Sequence, residues 1–403
     1  MNVRVPLLST LLALAACGDG GGSPPDAGVP DAAAPDAFVL AAPADRAALF
    51  QAGPYAFGYR TASVTYRPAG ATTDRTLNLN LWYPAEAGTG DALVYSVAGL
   101  IAVPRDTGRA NAAALAQGRF PVIVYSHGYG GVGLAAFSYG EYFASWGFVV
   151  AAPDHTGNTA LDQTISLAMG YLVRPQDLSA TLDWVTGDPA SPVKGRTSED
   201  VAAIGHSMGG YSVLSVLGAR GDWAAVTAGC ANSPGSCEVM ADPAARAKLD
   251  AGFADPRFDL AVAQTPVIML FADGELAALS RPVMLMTARR DATLPWATEG
   301  EPGWRRLDGA DDTWIDLLNG GHYSPIAICD YVDPALLAVV GLDVTHDGCG
   351  PDFTPISEIV PAITAYAHAF VRLHSLGESR WRAVIAGEPF HDEVSVTVGA
   401  GAH

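Results

Sequence analysis

Basic side chains are scarce in this chain: 23 Lys and Arg stand against 42 Asp and Glu, a net charge of −19 over 403 residues. So acidic a surface repels phosphate backbones and anionic headgroups, which excludes nucleic acid as a partner. Metal-ligand spacing is also missing: there is no H-E-x-x-H and no paired C-x-x-C, and nothing in the sequence calls for a metal or an organic cofactor. A membrane-spanning length of apolar residues is not found near the N-terminus either. Residues 5–16 are apolar, but twelve or so residues suit a secretion signal and fall short of a bilayer. Cysteine is sparse, at five positions.

What is present near the N-terminus is organised. Arg4 gives a positive start, and Leu14-Ala15-Ala16-Cys17 resembles a bacterial lipobox, so residues 1–17 are expected to be a lipoprotein signal with Cys17 as the lipidated mature terminus. Gly18, and not an aspartate, follows the cysteine, which by the enterobacterial sorting pattern favours the outer membrane; the expected location is the outer membrane or the periplasm and cell surface. Residues 18–50, rich in Gly, Pro, Ala and Asp, have almost nothing to bury and are expected to form a disordered tether. Residues 51–403 turn globular, enough for one large core. With Cys17 modified, four cysteines remain and allow three pairings; sequence neighbours are the expected partners, Cys230 with Cys237 and Cys329 with Cys349.

The globular part alternates strand and helix patterns, which predicts an α/β fold: a mostly parallel, doubly wound sheet with an antiparallel hairpin at its N-terminal edge. The hairpin is read at residues 64–66 and 77–83, a small cap at residues 233–258, and a last amphipathic helix through Ile359, Ile363, Tyr366, Phe370 and Leu373.

Gly205-His206-Ser207-Met208-Gly209 lies between an apolar strand pattern and a helical one. This is the setting of a nucleophile elbow, where a serine sits on a strained turn and small neighbours let strand and helix pass closely. A second buried strand, residues 120–125, runs into Ser126-His127-Gly128-Tyr129-Gly130-Gly131, similar to the oxyanion loop of α/β-hydrolases; the donors are then the N–H groups of Tyr129 and Met208. Residues 128–133 also spell G-x-G-x-x-G, with Asp154 at the end of the next strand, but a dinucleotide site has no use for the elbow and does not begin this far into its fold. Serine needs an imidazole to take its proton and a carboxylate to hold that imidazole. Asp291, after the strand pattern 281–288, and His322, after 313–318, supply them in the chain order Ser, Asp, His. Asp273, after the apolar run 267–271, competes for the acid role, as do Asp311 and Asp312. His127 reads as support for the oxyanion loop, while His155 and Asp154 read as pocket lining or as a solvated loop.

The succession RFPVIVYSHGYGG, YFASWGFVVAAPDH, RPQDLSATLDWV, VAAIGHSMGGY, RPVMLMTARRDATLP, NGGHYSP and DGCGP, over residues 54–376, resembles the bacterial predicted dienelactone hydrolase family, akin to platelet-activating-factor acetylhydrolases. That resemblance implies an α/β-hydrolase fold, a Ser-Asp-His triad at Ser207, Asp291 and His322, no cofactor, and cleavage of carboxylic esters. Dienelactone hydrolases proper use a cysteine nucleophile where this chain has Ser207. Small or short-acyl esters are the expected substrates. A polyester or cutin-like depolymerase with Tyr129 and Trp296 near its site is the alternative enzyme, and a surface lipoprotein that binds without catalysis is the alternative class.

Overall fold

The structure is a computed structural model that describes residues 39–97, 101–339 and 344–399. The signal segment, Cys17 and most of the expected tether, residues 1–38, lie outside the described residues. Among the described residues eleven strands join in one sheet: β1 (Phe57–Tyr66), β2 (Arg75–Pro84), β3 (Asp91–Val97), β4 (Ile101–Ala110), β5 (Phe120–Ser126), β6 (Val149–Asp154), β7 (Thr197–His206), β8 (Leu260–Gln264), β9 (Val283–Ala288), β10 (Thr313–Leu317) and β11 (Val394–Val398). Their spatial order is β11-β10-β9-β8-β7-β5-β6-β2-β1-β4-β3.

The six strands from β6 to β10 in that order pair in parallel. Every residue of β5, β8 and β9 is buried, as both-face coverage requires. Alternation sorts their side chains into two cores. Val122 and Val124 meet Leu172 and Leu178 of α2 (Leu167–Gly187) and Leu214 of α3 (Met208–Leu217), whereas Ile123 and Tyr125 meet Phe143 of α1 (Phe137–Ser145) and Ile363 and Phe370 of α4 (Ile356–His374). The expected stripe Ile359, Ile363, Tyr366, Phe370 and Leu373 lies in that second core. Among the described residues no helix is long and apolar enough to cross a membrane.

The expected hairpin is β1 with β2, in register from Phe57 opposite Pro84 to Tyr66 opposite Arg75. A second hairpin, β3 with β4, and the antiparallel edge strand β11 extend the sheet beyond what patterning suggested. The apolar run 267–271 is not a strand. The strand of that region is β8, and Thr265, at φ 38°, followed by Pro266 turns the chain out of the sheet and leaves Met269 exposed. Residues 233–258 form two short helices, Ser236–Ala241 and Pro243–Ala251, that lie along α2, where Ala168 N–H donates to Ser236 Oγ (3.3 Å). Cys230 is bonded to Cys237 and Cys329 to Cys349.

The body begins before residue 51, where composition placed the end of the tether. Leu49 is buried, Arg372 donates to the Ala41 carbonyl (3.0 Å) and Arg380 to that of Pro43 (3.0 Å). One packed leucine and two satisfied carbonyls are enough to order a segment whose composition is still that of a linker.

Packing fixes which glycines are replaceable. A Cβ on Gly209 would collide with the Ser126 carbonyl, whereas one on Gly229, at a helix end with ordinary φ, would meet nothing. Gly209→Ala is expected to destabilise the protein by at least about 1–3 kcal/mol, and Gly229→Ala to stabilise it by about 0.4–1 kcal/mol. Thermal melts of the two variants check this; a Gly209→Ala protein that melts with the wild type contradicts the close approach.

Candidate active site

The strand β7 ends at His206 and α3 begins at Met208, so the whole turn falls on Ser207. Its φ of 56° and ψ of −118° form the strained geometry that aims an elbow serine out of the sheet. Gly205 and Gly209 permit it: a side chain on Gly205 would strike the Gly209 carbonyl. Met208 is the first residue of its helix, where an N–H has no intrahelical acceptor.

Asp291 and His322 meet. Asp291 Oδ2 lies 2.8 Å from His322 Nδ1 in a pair only 6% and 2% exposed, and Oδ1 accepts the Leu294 N–H (2.6 Å). A carboxylate accepts, so Nδ1 carries the proton and Nε2 is left able to take one. The competing acids stand elsewhere. Asp273 is exposed, Asp311 pairs with Arg382 (2.6 Å), and Asp312 accepts from Val283 N–H (2.9 Å) at the opposite end of β9. The His322 carbonyl accepts from His206 Nε2 (2.9 Å) and Thr265 Oγ1 (3.2 Å), and the two imidazole rings lie 4.8 Å apart. The base loop is therefore seated on the residue next to Ser207. Among the described residues no hydrogen bond joins the Ser207 hydroxyl to the imidazole; enzymes without substrate commonly hold that contact long and close it on binding.

The loop of residues 126–131, where the oxyanion donor Tyr129 is expected, is held from behind. His127 Nδ1–H donates to the Gly128 carbonyl (2.7 Å) and His127 Nε2 accepts from His155 N–H (3.0 Å). Arg174, fully buried on α2, donates to the His127 carbonyl, to Gly128 O (3.5 Å) and to Asn158 Oδ1 (2.6 Å). Since C=O and N–H of a trans peptide point oppositely, holding the Gly128 carbonyl on this network turns the Tyr129 N–H away from it. A Cβ on Gly128 would come 3.3 Å from that of Ser207, so the loop passes directly beside the serine. The Tyr129 ring is 46% exposed.

His155 neither lines a pocket nor meets solvent. It is fully buried, with Nε2 on Ser126 Oγ (2.9 Å) and Nδ1 on Asp177 Oδ2 (2.8 Å), and Asp177 is doubly bonded by Arg75 (2.7 and 2.9 Å). Asp154, the acid a dinucleotide site would need, binds the Gly133 N–H (2.6 Å) at the end of its own glycine loop. Trp296 is partly buried, its Nε1 on Asp316 Oδ1 (3.0 Å) and its ring stacked on Trp314. Arg174, Asp177, His206 and Asp347 escaped sequence reasoning. The signal for Arg174 and Asp177 is a pair of charges among the apolar residues in the first half of α2, and for Asp347 the glycines that follow it.

Burial lowers the His127 and His155 pKa values well below the ordinary one and brings His206 down to about 3. The unfolded chain protonates His206 near 6.5 and the folded one does not, so below that pH the unfolded state binds more protons and stability falls as pH drops. Wild-type melting temperature is expected to decline more steeply from pH 6.5 to 5 than that of His206→Gln, a difference of up to about 2 kcal/mol. Parallel curves contradict a neutral buried His206.

A family model of platelet-activating factor acetylhydrolase, isoform II, matches residues 86–169, the stretch that contains the oxyanion loop. Among curated proteins, Cutinase est1 of Thermobifida alba is 27% identical over 208 residues, which are 51% of this chain and 54% of that protein. Cutinase 2 of Thermobifida cellulosilytica is 38% identical over 104 residues, 26% of this chain and 36% of that protein. The chain thus spans about half the length, or less, of the curated relatives it matches. A ferulic acid esterase from Streptomyces cinnamoneus superposes with a TM-score of 0.58 at 23% identity, over 89% of this chain and 98% of that one. With its doubly wound sheet, strand-turn-helix serine and site loops at the carboxyl ends of the strands, the chain has the α/β-hydrolase fold.

Proposed function

We propose that the protein is a serine hydrolase of carboxylic esters working outside the cytoplasm. Ser207 Oγ attacks the acyl carbon as His322 Nε2 takes its proton; Asp291 holds Nδ1 and stabilises the imidazolium; the N–H groups of Tyr129 and Met208 receive the oxyanion. The tetrahedral intermediate expels the alcohol, which leaves with the proton from His322, and an acyl-serine remains. Water, deprotonated by the same imidazole, then releases the acid. The observation that carries this reading is the buried Asp291–His322 pair seated on the residue next to a positive-φ serine.

Small or short-acyl esters are the favoured substrates. The cutinase relatives and the exposure of Tyr129, which follows the Gly128 that passes the serine, support a second reading, a polyester or cutin-like depolymerase. A chromogenic ester series of rising acyl length, run beside release of soluble products from a polyester film, separates the two: activity confined to soluble short esters removes the depolymerase. Ser207→Ala is expected to lower ester hydrolysis by about three orders of magnitude or more with the melt unchanged, and Asp291→Asn by roughly 10⁴, while Asp273→Asn costs little. A Ser207→Ala protein within tenfold of wild type would overturn the triad assignment, and a wild type inactive on every ester would return the chain to a binding role.

The export reading rests on Arg4, the apolar residues 5–16 and the box that ends at Cys17. Its acyl chains would anchor the enzyme to a bacterial membrane, with ester or polyester as its other partner. Wild-type protein is expected in the membrane fraction and Cys17→Ser in the soluble or unprocessed fraction. A soluble wild type whose mass lacks lipid refutes the anchor.

A further inference from the structure

We infer that Asp347 is a positioning residue whose carboxylate locks the acid and the base of the site into mutual register; the inference rests on the roles given to Asp291 and His322 above. Oδ1 accepts the N–H of His322 (2.7 Å) and of Ala292 (3.0 Å), and Oδ2 accepts the N–H (2.9 Å) and the hydroxyl (2.7 Å) of Thr293. One buried side chain therefore receives four donors, one from the backbone of the base itself and three from the two residues that follow the acid.

The segment carrying Asp347 is seated against the base loop by its backbone. Tyr323 N–H donates to the Asp347 carbonyl (2.9 Å), and a Cβ on Gly321 would collide with the backbone of Asp347 and Gly348. Gly348, at φ 129°, adopts a conformation open to glycine and passes where a Cβ would crowd the Ser324 N–H. These contacts are why DGCG, conspicuous in the sequence but without a role in the chemistry, lies where it does.

An aspartate suits the position because it is short and acceptor-only on both oxygens. Asparagine offers one acceptor and turns an NH₂ toward donors. Charge-assisted bonds to backbone N–H groups are the strong kind, and they fix loops that otherwise have no ladder to hold them. A displacement of about 1 Å between reacting groups can cost 10²-fold in rate, which is the scale of effect such a clamp prevents. Its negative charge, one hydrogen bond from the backbone of the base, also favours the imidazolium formed as the serine is deprotonated.

The test uses the full-length protein, p-nitrophenyl butyrate, and the variants Asp347→Asn, Thr293→Ala and Ser207→Ala. Asp347→Asn is expected to lower kcat by about 10–100-fold with KM within about threefold of wild type. The acid limb of its kcat profile should move to lower pH, and the far-downfield proton resonance of the His322–Asp291 hydrogen bond should shift or broaden. Thr293→Ala, which removes one of the four bonds at an exposed residue, should lower kcat in the same direction by about 2–5-fold. An Asp347→Asn enzyme with kcat within about twofold, an unmoved limb and an unmoved resonance overturns the clamp. Where Asp347→Asn does not fold, an unchanged kcat and resonance in Thr293→Ala overturn it. If Ser207→Ala keeps wild-type activity, the triad reading fails by itself, and the resonance, which needs no turnover, still decides the clamp.

Discussion

The near-contact of backbone with backbone at the elbow is the constraint on which the site depends. Gly209 lies against the Ser126 carbonyl, Gly205 against the Gly209 carbonyl and Gly128 against Ser207, so β5, β7 and the start of α3 pack without intervening side chains. That closeness puts the loop of residues 126–131 beside the serine. It also holds Ser207 at a positive φ that costs on the order of 1–3 kcal/mol in an unsupported chain. The strain is tolerable because β5 and β7 are paired through the centre of the sheet with both faces buried.

Around that fixed point the two movable halves of the site are each held by a buried charge. On one side Arg174 collects the carbonyls of His127 and Gly128, and on the other Asp347 collects the amides of Ala292, Thr293 and His322. The signs follow from what each half must present. Under the proposed mechanism, the loop that offers N–H groups to an oxyanion has its carbonyls satisfied by a cation, and the loops that offer a carboxylate and an imidazole have their amides satisfied by an anion. His206 joins the second half as a neutral donor to the His322 carbonyl, its pKa brought down to about 3 by burial.

Much of this was legible in the sequence, for physical reasons that also explain what was not. The elbow turn, the glycine loop beside it, the hairpin β1–β2 and the helix α4 announce themselves through local rules: glycine where backbones touch, alternation in strands, a 3.6-residue stripe. Asp291 outranked Asp273 because its strand pattern was the stronger; in the structure residues 267–271 stay outside the sheet, and Asp291, not Asp273, lies against His322. The edge strand β11 and the early start of the body at Leu49 were hidden because each is decided by partners far along the chain, such as Trp314 opposite Thr397 and Arg372 on Ala41. Arg174 and Asp347 were hidden for the same reason, since a buried charge looks like a solvated one until its partners are known.

The C-terminal part of the site is pinned twice, and the two pins differ in kind. The Cys329–Cys349 bond closes a loop of 20 residues that begins just after His322 and ends just after Asp347, over a small apolar cluster of Val332, Leu337 and Val344. Closing such a loop acts chiefly on the unfolded chain and is worth about 3 kcal/mol in the chain-entropy account, but it leaves the orientation of the base open. Orientation comes from the clamp, whose hydrogen bonds have direction where a bridge has only reach. A covalent bond that keeps two segments near each other and a carboxylate that sets their register are therefore complementary, and neither replaces the other.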